Sequence, residues 1–211
     1  METLSLENIC KTIGGHVVLD HVNLQLQPGK IYGIIGENGS GKTMLLRLLA
    51  GLIHPNEGNM RYGDKTVKKF TDTVRIGLCI ENVGLYHDMT VYENMKYYGK
   101  MGGKISKKQI LDTLDRIELS DRKNTAFSKL SLGLKQKAVL AQAFLSEPEL
   151  LLLDEPSNGL DEESKELLRN ILLEEREKDT CIVIVSHDKT FIQDDVDFLY
   201  HMNHGVLTKE D

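Results

Sequence analysis

A chain of 211 residues with 40% hydrophobic and 27% charged side chains has the make-up of a globular protein able to bury a sizeable core in one domain. Its formal net charge of -6 removes the general electrostatic argument for a nucleic-acid partner, because binders of that polyanion carry a basic excess. No apolar run approaches the roughly 18 residues a membrane span needs, and Met1 to Ser5 lacks the charged start and apolar core of a secretory leader, so a soluble, cytoplasmic chain is expected.

Hydrophobic period divides the chain into elements. Leu4 to Ile9 and Val17 to Leu26 alternate or run apolar, with Gly14-Gly15 between them and Pro28-Gly29 after, which predicts an antiparallel strand layer. Ile31 to Ile35 is a short apolar strand. It leads into Gly36-Glu37-Asn38-Gly39-Ser40-Gly41-Lys42-Thr43, a match to G-x-x-x-x-G-K-[ST], and then into the helical run Met44 to Leu49. Val74 to Ile80 reads as another strand. From Thr90 to about Phe127 the pattern turns helical, with Tyr92, Met95, Ile110, Leu111, Leu114 and Ile117 at helical spacings and interruptions at Gly99 and Gly102-Gly103. A small helical subdomain, approximately 84–146, is therefore expected inside a single domain spanning 1–211. Leu150 to Leu153 and Cys181 to Val185 are all-apolar runs of the kind buried on both faces of a parallel sheet. Between them, Leu160, Ser164, Leu167, Leu168, Ile171 and Leu172 form one face of a helix opened by Asp161-Glu162-Glu163. Phe198, Tyr200 and Met202, the turn at Asn203-His204-Gly205, and Val206-Leu207 predict a closing hairpin. The fold class is α/β: a P-loop NTPase with a mostly parallel central sheet, an N-terminal antiparallel β layer and an inserted helical subdomain.

The chemistry concentrates at the ends of the apolar strands. The glycine-rich loop aims backbone N–H groups inward ahead of a helix N-terminus, which suits a triphosphate. Lys42 would neutralise the β- and γ-phosphates, and the Thr43 hydroxyl would ligate the magnesium ion bridging them. Asp154-Glu155 ends a fully apolar strand in two carboxylates, which are costly to desolvate without a cation or hydrogen bonds. Asp154 would hold magnesium through a water, and Glu155 would accept a proton from the attacking water. His187 ends the next apolar strand, where it would hydrogen-bond the γ-phosphate. Cys10, Cys79 and Cys181 are odd in number and lie in apolar sequence, so all three are expected to be buried free thiols rather than metal ligands. His201 and His204 fall at a hairpin turn without ligand spacing, and no metal role is assigned to them.

These motifs, in this order and with Leu130-Ser131-Leu132-Gly133-Leu134-Lys135-Gln136 ahead of Asp154, resemble the ATP-binding cassette of ABC transporters over nearly the whole chain. In that family a signature L-S-G-G-Q opens a helix facing the γ-phosphate of an ATP held by the partner subunit. The resemblance carries this role to Ser131 and Gly133, while Leu132 and Leu134 depart from the pattern. It also makes His187 the switch histidine and Ser157 to Asp161 the loop that meets its counterpart across a head-to-tail dimer around two ATP. The family's adenine-stacking aromatic is replaced by Ile13, which leaves Ile13 or His16 as the adenine contact. The family's glutamine after the Val74 to Ile80 strand is replaced by Glu81, which would face magnesium or a water unless Asn82 has taken over the amide's role. The stretches around Ile76 to Glu81 and Leu85 to Asn94 look most like the branch of bacitracin- and lantibiotic-resistance exporters. The resemblance thus implies an ATPase using ATP and Mg2+, a second cassette in a homodimer, a separate membrane permease that brings the chain to the cytoplasmic face, and no nucleic acid. A non-transport cassette, or a regulator that senses nucleotide without hydrolysing it, is the alternative.

Overall fold

The computed structural model describes residues 1–80, 84–101, 105–187 and 195–210. A six-stranded sheet runs through the molecule, and its core strands are the all-apolar runs: β3 (Ile31–Ile35), β7 (Leu150–Asp154) and β8 (Cys181–Ser186), buried at every residue. With β6 (Ile76–Cys79), β9 (Phe198–Asn203) and β10 (Val206–Lys209), the order is β10-β9-β3-β8-β7-β6, parallel throughout except for the final hairpin strand β10. Successive side chains of a strand point to opposite faces. Each apolar run therefore feeds two cores at once.

On one face Ile31, Ile35, Leu151, Leu153, Ile182 and Ile184 join the helices α2 (Val91–Met101), α3 (Lys107–Arg116), α4 (Leu132–Phe144) and α5 (Glu162–Glu177). On the other, Tyr32, Ile34, Leu150, Leu152, Val183 and Val185 meet α1 (Lys42–Leu49) and a second sheet. That sheet is antiparallel, in the order β2-β1-β4-β5, from β1 (Leu4–Ile13), β2 (His16–Leu26), β4 (Glu57–Tyr62) and β5 (Lys65–Val67). The expected class and layers are thus present, with α2, α3 and α4 lying between β6 and β7 in the chain.

Several local expectations shift. The strand read at Val74 to Ile80 is confined to Ile76–Cys79, and α2 continues through Gly99. Helix α4 opens at Leu132, in the signature stretch, because Ser131 caps it with a side-chain oxygen accepting from the Leu134 N–H. Cys79 and Cys181 are buried free thiols, but Cys10 is only half-buried, since it lies on a strand of the outer sheet. Helix α3 is tied to α5 by Arg116, whose guanidinium reaches Glu175 at 2.5 Å and Glu174 at 2.7 Å.

Candidate functional site

Parallel strands end at one edge of a sheet, and the loops that follow them meet there. Ile35 pairs with Ser186, and Asp154 with Val185, so Gly36, Glu155 and His187 all leave the sheet at the same level. Between β3 and α1 the loop turns at Gly41, the N-cap of α1, with φ of 113°. A side chain there would be strained, and a Cβ would come within 2.6 Å of the Val18 carbonyl oxygen, so the loop can lie against β2 only with glycine at this point. The Lys42 ammonium folds back over the loop, donating to the carbonyl oxygens of Gly36 at 2.6 Å and Glu37 at 3.0 Å. The Ser40 hydroxyl is buried and has no hydrogen-bond partner among the described residues. Such an orphan is costly unless a ligand or water satisfies it.

Thr43 Oγ1 donates to Asp154 Oδ2 at 2.7 Å, joining the start of α1 to the end of β7. Asp154 is only 8% exposed. This pair offers hard oxygen donors of the kind that hold magnesium, so the residues fit that ion. Glu155 follows with φ of 47°, a left-handed conformation uncommon outside glycine. Its N–H donates to the Val185 carbonyl at 2.9 Å. Its carboxylate accepts from Ser186 Oγ at 2.8 Å, from the His187 backbone N–H at 2.9 Å and from His187 Nδ1 at 2.8 Å. A carboxylate only accepts, so Nδ1 carries the proton in this contact. The side chains of Glu155 and His187 are thus brought into direct partnership, and Lys42, Thr43, Asn38, Gly39, Gly41, Asp154 and Glu155 wall one cleft of about 330 Å³.

Other expected site residues lie elsewhere. Ile13 sits at the tip of the β1–β2 hairpin, 43% exposed, and the cleft is walled instead by Val18 and Met44. Ser131 and Gly133 open α4 away from the cleft wall, and a Cβ on Gly133 would come within 2.7 Å of the Gly159 carbonyl oxygen, so the start of the helix packs on the Ser157 to Asp161 loop. Glu81 and Asn82 lie outside the described residues. Gln136 was not singled out as a site residue, yet its Nε2 donates to the Pro156 carbonyl at 3.1 Å and the Glu155 carbonyl at 3.5 Å. It links α4 to the catalytic candidates. Beneath it, burial and the nearby Asp154 charge push the Cys79 thiol up to about 12.

Residues 19–158 match the ABC transporter family. The ABC transporter ATP-binding protein YybJ of Bacillus subtilis (strain 168) is 40% identical over 201 residues, covering 95% of this chain and 92% of its own. This chain belongs to the ABC transporter family. The bacitracin transport ATP-binding protein BcrA of Enterococcus faecalis is 36% identical, across 98% of this chain and 68% of its own length. The lantibiotic transport ATP-binding protein SrtF of Streptococcus pyogenes is 32% identical, across 98% and 90%. Among solved structures, the dimeric bacterial ABC transporter cassette MJ0796 superposes with a TM-score of 0.88 at 25% identity, across 99% of this chain and 98% of that one. The protein is thus an ABC transporter ATP-binding subunit, an ATPase whose glycine-rich loop, Asp154 and Glu155 occupy one sheet edge.

Proposed function

We propose that this cassette pairs head to tail with a second copy around two ATP, and that ATP-driven closing and reopening of the pair powers a separate membrane permease of the exporter class. Its place would be the cytoplasmic face of the membrane, held there by the permease. The dimeric cassette MJ0796 supports the pairing, and the names of BcrA and SrtF support export of peptide antibiotics. Among the described residues no helix is long and apolar enough to cross a membrane.

In this reading the loop N–H groups of Gly36 to Thr43 wrap the phosphates, and Lys42 exchanges its two carbonyl contacts for phosphate oxygens. Thr43 and Asp154 would hold magnesium, joined on resemblance by Glu81, and the ion supplies neutralisation of the β- and γ-phosphates. Val18 and Met44 extend apolar surface beside the loop toward the adenine, with Ile13 or His16 beyond them. The observation that carries the proposal is the carboxylate of Glu155, held at the cleft by Ser186 and His187. A γ-phosphate offers His187 a second acceptor. The histidine then turns from Glu155 to phosphate, and the released carboxylate oxygen takes the proton of the attacking water.

Glu155→Gln keeps the volume and one acceptor oxygen, for His187, and its amide nitrogen can donate to the Ser186 hydroxyl, but it cannot accept that proton. Turnover is expected to fall at least ~10²-fold, the scale of a lost general base, with ATP binding retained. Single-turnover hydrolysis near the wild-type rate would remove the assignment.

A further inference from the structure

The β1–β2 ribbon carries a group of side chains that nucleotide chemistry does not use. Between the pairs Ile9–Val22 and Lys11–Leu19, one residue of β1, Cys10, faces two of β2, Asp20 and His21. This is a β-bulge, an irregularity that re-aims side chains. His21 takes φ of 47°, a left-handed backbone with an energetic cost for a non-glycine residue. Its N–H donates to Cys10 Sγ at 3.4 Å, and its Nδ1 lies 2.6 Å from Asp20 Oδ1. The thiol sulfur, a carboxylate oxygen and a ring nitrogen all lie within 4.8 Å of one another.

We propose that this bulge binds one divalent transition-metal ion of the zinc and cobalt(II) class, with Cys10 Sγ, Asp20 and His21 Nδ1 as ligands and water in the fourth position. The donor set decides the class. Thiolate and imidazole select borderline and soft ions, whereas magnesium and calcium take oxygen shells. Metal–nitrogen and metal–oxygen bonds of about 2.0 Å place two tetrahedral ligands roughly 3.3 Å apart, so the 2.6 Å contact seen between His21 and Asp20 is a hydrogen bond that the ion would replace. Binding moves the ring proton to Nε2 and releases the thiol proton to solvent. The imidazole and carboxylate are open to water, with side-chain exposures of 73% and 46%, so an ion reaches them without disturbing the core. The ligands also differ in kind from the hard oxygen pair Thr43 and Asp154, so the two sites do not compete for one metal.

The test uses the full chain, stripped of metal and free of nucleotide, titrated with cobalt(II). A thiolate-to-cobalt charge-transfer band saturating at one ion per chain is expected, and Cys10→Ser should abolish it. Loss of an outer-shell partner already costs 10–100-fold in affinity, so His21→Asn and Asp20→Asn should each weaken cobalt binding at least ~10-fold. Asparagine is chosen at position 21 because it tolerates the left-handed backbone. Cys79 and Cys181 are buried, so brief native labelling with a maleimide reads Cys10, and Zn2+ should protect it in the wild type but not in His21→Asn. The proposal is overturned by the absence of a band, by a band that survives Cys10→Ser, by unchanged cobalt affinity in either asparagine variant, or by labelling that Zn2+ does not slow.

Discussion

Lys42 does not wait for phosphate as a bare charge. Its ammonium is almost wholly buried and satisfied by two carbonyl oxygens of its own loop, so in the proposed reading ATP binding would replace neutral acceptors with charged ones. The difference is what Lys42→Ala removes. A hydrogen bond to a charged group is worth roughly 1.5–3 kcal/mol, so ATP affinity should fall ten- to hundredfold or so, and turnover should fall with it. A fluorescent ATP analogue reads the binding, and unchanged affinity would mean the lysine's partners in the bound state are still its own carbonyls. Residue types were the readable part of this site: carboxylates ending an apolar strand, and lysine after glycines, announce themselves because their burial needs a reason. Their partners were not readable. Ser186 is 31 residues from Glu155, and Gln136 is 19 residues away, in a signature stretch whose pattern points across a dimer and not to this contact. Only the pairing of β8 with β7 and the packing of α4 on β6 bring them together.

Elements were legible in proportion to how unevenly they are buried. Strands β3, β7 and β8 are wet on neither face, and helix α5 has one apolar stripe, so both patterns survive in the sequence. Strands β4 and β5 were not anticipated: in Glu57-Gly58-Asn59-Met60-Arg61-Tyr62 only Met60 is fully buried, because the outer end of the antiparallel sheet faces solvent. Helix α4 was legible through its signature and not through its period, since Lys137, Ala138, Leu140, Ala141, Ala143 and Phe144 bury several sides of it and blur the helical stripe. The contact between α3 and α5 yields a prediction about acid. Burial alone would raise the Glu175 carboxyl, but hydrogen bonds from Lys178 and Arg116 outweigh it and hold the group below the usual carboxylate range. A depressed carboxylate stabilises the fold above its unfolded value of about 4.3, and that contribution is lost as pH falls through the folded value. Arg116→Met should therefore destabilise the protein by roughly 1.5–3 kcal/mol at pH 7. The gap to wild type should shrink as the pH drops below about 4. Urea unfolding at both pH values checks this, and a gap of equal size at both would assign the effect to the packing of the arginine stem.

At the scale of the whole molecule, the central sheet separates two cores, and the helices of the first core carry the Ser131 signature on a different part of the surface from the phosphate loop. Among the described residues neither Ser131 nor Gly133 walls the cleft beside the glycine-rich loop. Ser131 caps α4 through a long 3.4 Å contact, Gly133 lies on the Gly159 backbone, and Leu132 stands 71% exposed between them. An apolar side chain that open, at the start of a helix whose N–H groups point outward, suits a surface that a second cassette covers. The proposed head-to-tail pairing makes a sharp prediction from this arrangement. In a Glu155→Gln background, which should hold ATP without turning it over, Ser131→Arg adds a bulky side chain at the start of α4 and touches no group of its own nucleotide cleft. ATP affinity of the monomer should stay within about twofold of the background, well under the tenfold that 1.4 kcal/mol would produce. The ATP-dependent dimer seen by sedimentation should be lost. Loss of the helix cap is a separate effect costing about 1 kcal/mol, and Ser131→Ala isolates it: that variant should be less stable to heat yet still dimerise with ATP. A dimer that forms as readily with arginine as with serine would rule out closure over the signature, because a side chain of that size at the start of α4 leaves no room for a second subunit's phosphate loop.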